Sequence, residues 1–554
     1  MAAVLGYAGT ALAYPGRRSF AAASQTFDLA VTDMRITVDG QSSAALAIAG
    51  SVPGPVLRWR EGEEVVVRVT NRLDEPTSIH WHGLLVAGVM DGAPGFNGYV
   101  GIAPGETYTY RFALRQAGTY WYHSHSAGQE QLGMYGAIVI EPAAGERIRV
   151  DRDYVVVLSD HSSEHPDTIL RKLKADPEAY VTRPRSFMDF LRDIRRDGLA
   201  DTAKDRMAWG DMRMSPTDLA DVTGYQFLMN GRGAEDNWTG LFKPGERVRL
   251  RFINASSMTF FDVAIPGLRM TVIAADGQDV IPVPVDEFRF GVGETYDVLV
   301  NPREAKAFTV MAEPIDRSGY VRGTLAPGEG MQAEIPPQRP RTLLSMADMG
   351  AMPGMDHGGM AGMAGMDHSK MGGMAGMAGM DHSKMAMAAP TAGAPPSRPV
   401  GWDAASTPPG KKALDCRDLK SLAARVAVAP TQEIIVELNG QMNRYNWTLN
   451  GKRFDQNQPI RVKFGERVRI KYVNTTMMAH PMHLHGMFVE MENGETTRRP
   501  LKHVVIVKPG EERAVVLTAD EPGEWPFHCH LLYHMNAGMM TRFIVEPRRK
   551  EGLG

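Results

Sequence analysis

Two cysteines in 554 residues exclude a disulfide framework, and with it any zinc or iron–sulfur site built on four thiolates. Should one of them bind a metal, no intrachain disulfide is left. Net charge is also scarce. A formal −3 at pH 7 gives no electrostatic reason to expect nucleic acid or an anionic membrane as partner. Long apolar runs are missing too: no segment reaches the roughly 20 apolar residues of a membrane span. What the chain has in excess is methionine, 35 residues, beside 16 histidines. Any metal chemistry must therefore rest on His and Met. The length suits three or four domains of about 100–200 residues each.

The first residues are small and apolar. Residues 2–14 resemble the core of a secretory signal, with Ala11-Leu12-Ala13 or Ala21-Ala22-Ala23 as cleavage sites. Residues 1–24 are set apart as a leader, and the expected location is the bacterial periplasm.

Beyond the leader, one strand pattern occurs three times. It runs from Gly62-Glu63 to Asn71, from Gly245-Glu246 to Asn254 and from Gly465-Glu466 to Asn474. Each copy is a turn, then alternating apolar residues, then Asn; alternation of period two reads as a half-buried strand. A second motif recurs as Pro104-Gly105-Glu106, Val292-Gly293-Glu294 and Pro509-Gly510-Glu511, each before a further strand-like run. Three copies of a two-part pattern predict three related β-sandwich domains, at 25–150, 151–330 and 412–554. Leu, Met and Phe at helical spacing predict a helical insert over about 166–209.

Residues 331–411 break the pattern. Between Met346 and Met387 there are 13 Met in 42 residues, with near-copies Met355-Asp356-His357, Met366-Asp367-His368 and Met380-Asp381-His382. Almost nothing there can build a core, so a flexible Met-rich linker is expected. With no core to fill, its thioethers and imidazoles suit the collection of extra copper.

The chemistry sits in four strings: His80-Trp81-His82, His123-Ser124-His125, His480-Pro481-Met482-His483-Leu484-His485 and His528-Cys529-His530. Residues two apart on a strand share a face, so each His-x-His presents two imidazoles together. Cys529 faces away from His528 and His530. Two His, one Cys and a weak axial Met make the trigonal blue-copper site. His480, Cys529 and His534 would hold one copper, with Met539 axial. His528 and His530 would reach a second cluster from the same strand.

These strings resemble the copper signatures of the multicopper oxidases. The similarity is closest to the bacterial copper resistance protein A family, through Thr119-Tyr120-Trp121-Tyr122-His123-Ser124-His125 and His528-Cys529-His530-Leu531-Leu532-Tyr533-His534. The resemblance implies three cupredoxin-like Greek-key domains and four copper ions. It implies type 1 copper on His480, Cys529, His534 and Met539, and type 2 copper on His80 and His483. One type 3 copper would use His82, His123 and His530; the other would use His125, His485 and His528. The middle domain would be a metal-free spacer. The implied reaction is one-electron oxidation of substrate with reduction of dioxygen to water, and the implied catalytic residues are Cys529, His528, His530 and Asp91. Asp91 matches an acidic residue implicated in proton delivery, although Asp91-Gly92 also reads as a turn. Met535 stands where many bacterial laccases have a proton-donating Glu.

The expected substrate is Cu(I), and phenols as well, in copper resistance. A laccase for phenols or aromatic amines and a copper-sequestering protein are the alternatives. A monomer is expected. Met477, Met478, Met482, Met487, Met491, Met535 and Met540 suit either a Cu(I) dock or adaptable core filling. Cys416 reads as a half-buried neutral thiol. His161, His165 and His503 read as ordinary polar residues.

Overall fold

The computed structural model describes residues 25–180, 186–211, 219–340, 344, 402, 407–441 and 444–547. They form six sheets in three sequential pairs. The first pair joins Gln25–Val38, Gln41–Ile48, Glu64–Asn71 and Thr107–Ala113 to a sheet of Gly54–Arg60, His80–His82, Gly118–His123 and Tyr135–Glu141. Val31, Trp59, Val67, Trp81 and Ile138 fill the space between them. The second and third pairs each set a six-stranded sheet against a five-stranded one. The fold is all-β, as expected.

The repeated strands hold one topological position. Glu64–Asn71, Val248–Asn254 and Arg467–Asn474 each lie parallel to the first long strand of their pair. Each lies antiparallel to the strand that follows the second motif, namely Thr107–Ala113, Thr295–Val300 or Glu512–Thr518.

The Asn closing each copy has a physical reason. Asn71, Asn254 and Asn474 are buried. Each side-chain oxygen accepts the N–H two residues on, at 2.9, 3.1 and 2.9 Å, which turns the chain out of the sheet. Each side-chain amide donates to carbonyls of two separate segments: Glu75 and Ile102, Thr259 and Phe290, or Met478 and Val507. The Asn is a keystone between the sheets.

The insert is three helices, α1 (Pro166–Ala175), α2 (Phe187–Asp197) and α3 (Leu199–Asp211). His165 caps α1 through the Asp167 N–H, and Ile169 and Leu173 bury its inner face in the middle domain. Ser186 and Asp189 form a capping box on α2. A short fourth helix, α4 (Leu532–Asn536), was not anticipated.

Most of the Met-rich stretch, 345–401, lies outside the described residues, and its expected flexibility with it. Its flanks are held on the middle domain. Gln338 donates to the carbonyls of Arg317 and Gly319, and Arg339 pairs with Glu313 and Glu287 at 2.5 and 2.6 Å. On the return side, the Thr407 hydroxyl donates to the same Glu287 at 3.3 Å. Residues 331–340 are therefore tethered rather than loose.

Replacing Asn254 by Leu strands two buried carbonyls. At about 1–3 kcal/mol for each unsatisfied group, the cost is about 2–6 kcal/mol. A clear fall in the thermal midpoint, followed by circular dichroism, is expected; an unchanged midpoint would refute the keystone role.

Candidate metal centre

Two strand pairs bring the histidines together. In the first domain, His80–His82 runs antiparallel to Gly118–His123, with His80 opposite His123. In the third, His480–Leu484 runs antiparallel to Gly523–Cys529, with His483 opposite His528. Alternation then sends eight imidazoles into one chamber between the two domains. The ring nitrogens of His82, His123 and His530 lie within 4.8 Å of one another; so do those of His125, His485 and His528, and those of His80, His82 and His483. Rings from the two domains interleave: His80 stacks on His485 at 3.8 Å between centroids, and His82 on His483 at 3.9 Å.

Cys529 points the other way. Its Sγ lies 3.6 Å from His480 Nδ1 and 3.7 Å from His534 Nδ1, and those nitrogens are 3.1 Å apart. Met539 is fully buried, and its carbonyl accepts the Cys529 N–H at 3.0 Å. One strand thus serves two clusters from opposite faces.

The outward nitrogens set the tautomers. Nδ1 of His80, His123, His483 and His528 meets the backbone carbonyl of Asp91, Ser124, His503 and Cys529 at 2.7–2.9 Å. A carbonyl only accepts, so Nδ1 carries the proton and Nε2 presents a lone pair inward. Nε2 of His80, His123 and His483 is buried with no hydrogen-bond partner. Nε2 of His485 faces Nε2 of His528 at 3.1 Å. Around Cys529, His534 Nε2 donates to Asp221 at 2.7 Å. His480 Nε2 donates to the Thr476 hydroxyl at 2.7 Å, and that hydroxyl donates in turn to Asn474. Both Nδ1 lone pairs therefore face the thiol. Converging lone pairs in a dry interior repel unless a cation sits between them. The donor sets, all imidazole in the chamber and two imidazoles with one thiol beside it, fit copper.

Burial, reinforced by neighbouring imidazoles, holds His82, His123, His483, His485 and His528 well below the ordinary imidazole range. Burial likewise takes His125 and His530 down to about 3. They are neutral, ligand-competent rings at pH 7. Burial pushes the Cys529 thiol up, so a thiolate there needs a cation beside it.

Asp91 is buried between two of these rings. Its Oδ2 accepts from His485 Nδ1 at 2.8 Å, while its carbonyl accepts from His80. The turn reading also holds, because Gly92 has φ +85° and a Cβ there would meet the Ile79 carbonyl oxygen.

Several contributors escaped sequence reasoning. His503 is no ordinary polar residue: it is buried, its carbonyl orients His483, and its Nδ1 lies 3.2 Å from His82 Nε2. Glu130 is buried 3.1 Å from His123 Nδ1. The middle domain is more than a spacer, since Asp221 orients His534 and Asp276 accepts the backbone N–H of His503 and Val504. The acidic residues between two His-rich strings in sequence gave no local signal of this.

Met478, Met482, Met487 and Met491 are buried in the core, which favours filling over docking; Met477 and Met535 are half-buried. Cys416 is half-buried with Arg513 Nη1 3.1 Å from its sulfur, and burial raises its thiol. His161 bonds the Ser43 hydroxyl at 2.6 Å.

Cation-free protein should be the less stable form. A metal held at a thousand times its Kd stabilises the native state by about 4 kcal/mol. Chelation should lower the melting midpoint and copper should restore it; identical melts would show that no cation belongs there.

Comparison with known proteins agrees with this geometry. The chain is 48% identical over 565 residues to copper resistance protein A of Pseudomonas syringae pv. tomato, covering 94% of this chain and 92% of that protein. It is 46% identical over 560 residues to copper resistance protein A of Escherichia coli, with the same coverage. Among solved structures, the laccase from Botrytis aclada superposes with a TM-score of 0.65 at 21% identity, covering 94% of this chain and 88% of that one. No helix among the described residues is long and apolar enough to cross a membrane. Multicopper oxidase family profiles match residues 30–145, 198–330 and 427–549, and the chain belongs to the multicopper oxidase family.

Proposed function

We propose that the protein is a periplasmic copper-defence oxidase that oxidises Cu(I), and phenols as well, while reducing dioxygen to water. The observation that supports it most is the strand Gly523–Cys529, which offers a thiol to one cluster and adjoins two imidazoles of the other. High identity to two copper resistance proteins favours Cu(I) over a laccase substrate.

In this reading His480, Cys529, His534 and Met539 would hold the type 1 copper. His80 and His483 hold type 2. His82, His123 and His530 hold one type 3 ion, and His125, His485 and His528 the other. Copper at these places would supply one-electron chemistry, coupling substrate oxidation at one site to four-electron reduction of dioxygen at the other. The protein's part is placement. Cys529 is bonded through the main chain to His528 and His530, so the electron path between the sites is short and covalent. Asp221, buried, accepts from His534 Nε2 and from the Tyr445 hydroxyl and so fixes the His534 ring. Asp91 keeps Oδ1 buried without a hydrogen bond, 3.4 Å from His80 Nδ1, which places a carboxylate beside the chamber where dioxygen reduction consumes protons. The proposed domain bounds are 25–150, 151–330 and 412–554.

Oxygen uptake with Cu(I) and with a phenol tests the reading. Cys529→Ser should abolish both activities and the blue absorbance while the fold is kept. Phenol turnover that survives this substitution would refute the assignment of Cys529. Faster turnover of phenol than of Cu(I) would move the protein to the laccases.

The Met-rich stretch is assigned to gathering additional copper. Deleting 346–387 should lower the bound copper per chain and leave the blue absorbance intact; unchanged stoichiometry would sink that role.

A further inference from the structure

One chamber histidine differs from the rest. Of the ten proposed copper-binding histidines, His125 alone is half-buried. It forms part of the wall of a cavity of about 430 Å³ whose lining also includes Phe96, Phe454, Met535 and Met540. Here a chamber histidine lines a cavity that opens to solvent.

The two methionines are brought together by backbone geometry. The N–H of Gly538 donates to the Met535 carbonyl at 3.0 Å, and the N–H of Met540 donates to the Gly538 carbonyl at 2.8 Å. This tight turn folds residue 540 back beside 535, and both side chains pack with Phe96. Met540 is the cross-strand neighbour of His528, which belongs to the same three-histidine set as His125. The wall behind them is stiff: Phe96 and Phe454 stack at 6.1 Å, with the Arg542 guanidinium 4.4 Å from the Phe96 ring.

The charge around the opening narrows what it would admit. Arg453 is paired with Asp455 at 3.0 Å, and Lys174 also lines the cavity. Asp455 lines the cavity too, but two cations against one carboxylate leave a net positive charge that disfavours a hard dication. Thioether sulfur is a soft, neutral donor that selects Cu(I). Leucine would fill the same volume, yet both positions are thioethers: Met540 is buried in a small cluster with Ala93 and Phe96, half-buried Met535 packs against it, and both line the cavity.

We infer that Met535 and Met540 form a Cu(I) transfer site through which the histidine chamber is loaded, with His125 as the receiving ligand. The step is ligand exchange: a copper–sulfur contact is replaced by a copper–imidazole contact. Oxidation state is unchanged and no proton or co-reactant is needed. This rests on the histidines being copper ligands. It also gives Met535 a task where a laccase-type glutamate is missing.

The test uses metal-free full-length protein given limiting Cu(I), as its acetonitrile complex under argon, before exposure to dioxygen. The blue band follows the Cys529 site and the near-ultraviolet band follows the chamber. In the Met535→Leu/Met540→Leu variant the chamber should fill about tenfold more slowly, in the range seen when groups around a metal site are changed. The blue band should develop at the wild-type rate, which also shows that the variant folds. With Cu(II) supplied instead, wild type and variant should fill alike. Equal filling with Cu(I), equal slowing of both bands, or equal slowing with Cu(II) would each overturn the inference. If the double variant develops no blue band, Met535→Leu alone is judged by the same outcomes. If the ligand assignment itself is wrong, neither band develops in the wild type.

Discussion

Many imidazoles can share a dry interior only if each is neutral and each outward nitrogen has somewhere to put its proton. That constraint governs this molecule. Backbone carbonyls serve His80, His123, His483 and His528, and carboxylates serve His485 and His534. Burial keeps His123, His483, His485 and His528 uncharged, and the acceptors decide which nitrogen looks inward. The carbonyl acceptors lie in each ring's own domain, whereas Asp91 and Asp221 reach His485 and His534 from another, which ties the domains together. The first domain gives four rings to the chamber and the third gives four more. The middle domain contributes carboxylates instead, through Asp221 and Asp276.

The same logic links scaffold to site. Asn474 ends a strand, ties two segments together and accepts from Thr476, whose hydroxyl receives the His480 proton. A residue first visible as a repeat in sequence is thus two hydrogen bonds from the Cys529 cluster. Its counterpart Asn254 has the same keystone bonds without any metal-binding neighbour. Scaffold and chemistry are separable, so the middle domain can lack histidine ligands and still fold as the others do.

What was legible in the sequence was local. Period-two alternation exposed the strands, paired His80 with His82 and His528 with His530, and placed Cys529 on the opposite face. Helical spacing found the insert. Illegible was whatever depends on chain segments far apart in sequence. Asp221 meets His534 across 313 positions and His503 meets His82 across 421. A lone Asp in a loop or a single His outside a His-x-His pair has no pattern to mark it. The expected spacer role of the middle domain went wrong for the same reason, since carboxylates orient rings without any recognisable spacing. The methionines near His480 looked like metal donors by composition, but burial in the core explains most of them.

Glu287 receives Arg339 on one side and Thr407 on the other. The chain therefore departs from and returns to the same carboxylate. The cost of closing a loop rises only by about 0.6 kcal/mol with each doubling of its length. Repeats can then be gained or lost between those two anchors with little penalty to the fold that surrounds the metal sites. The number of soft donors can thus change as freely as a tether can be lengthened, without disturbing the strands that set the ligand geometry.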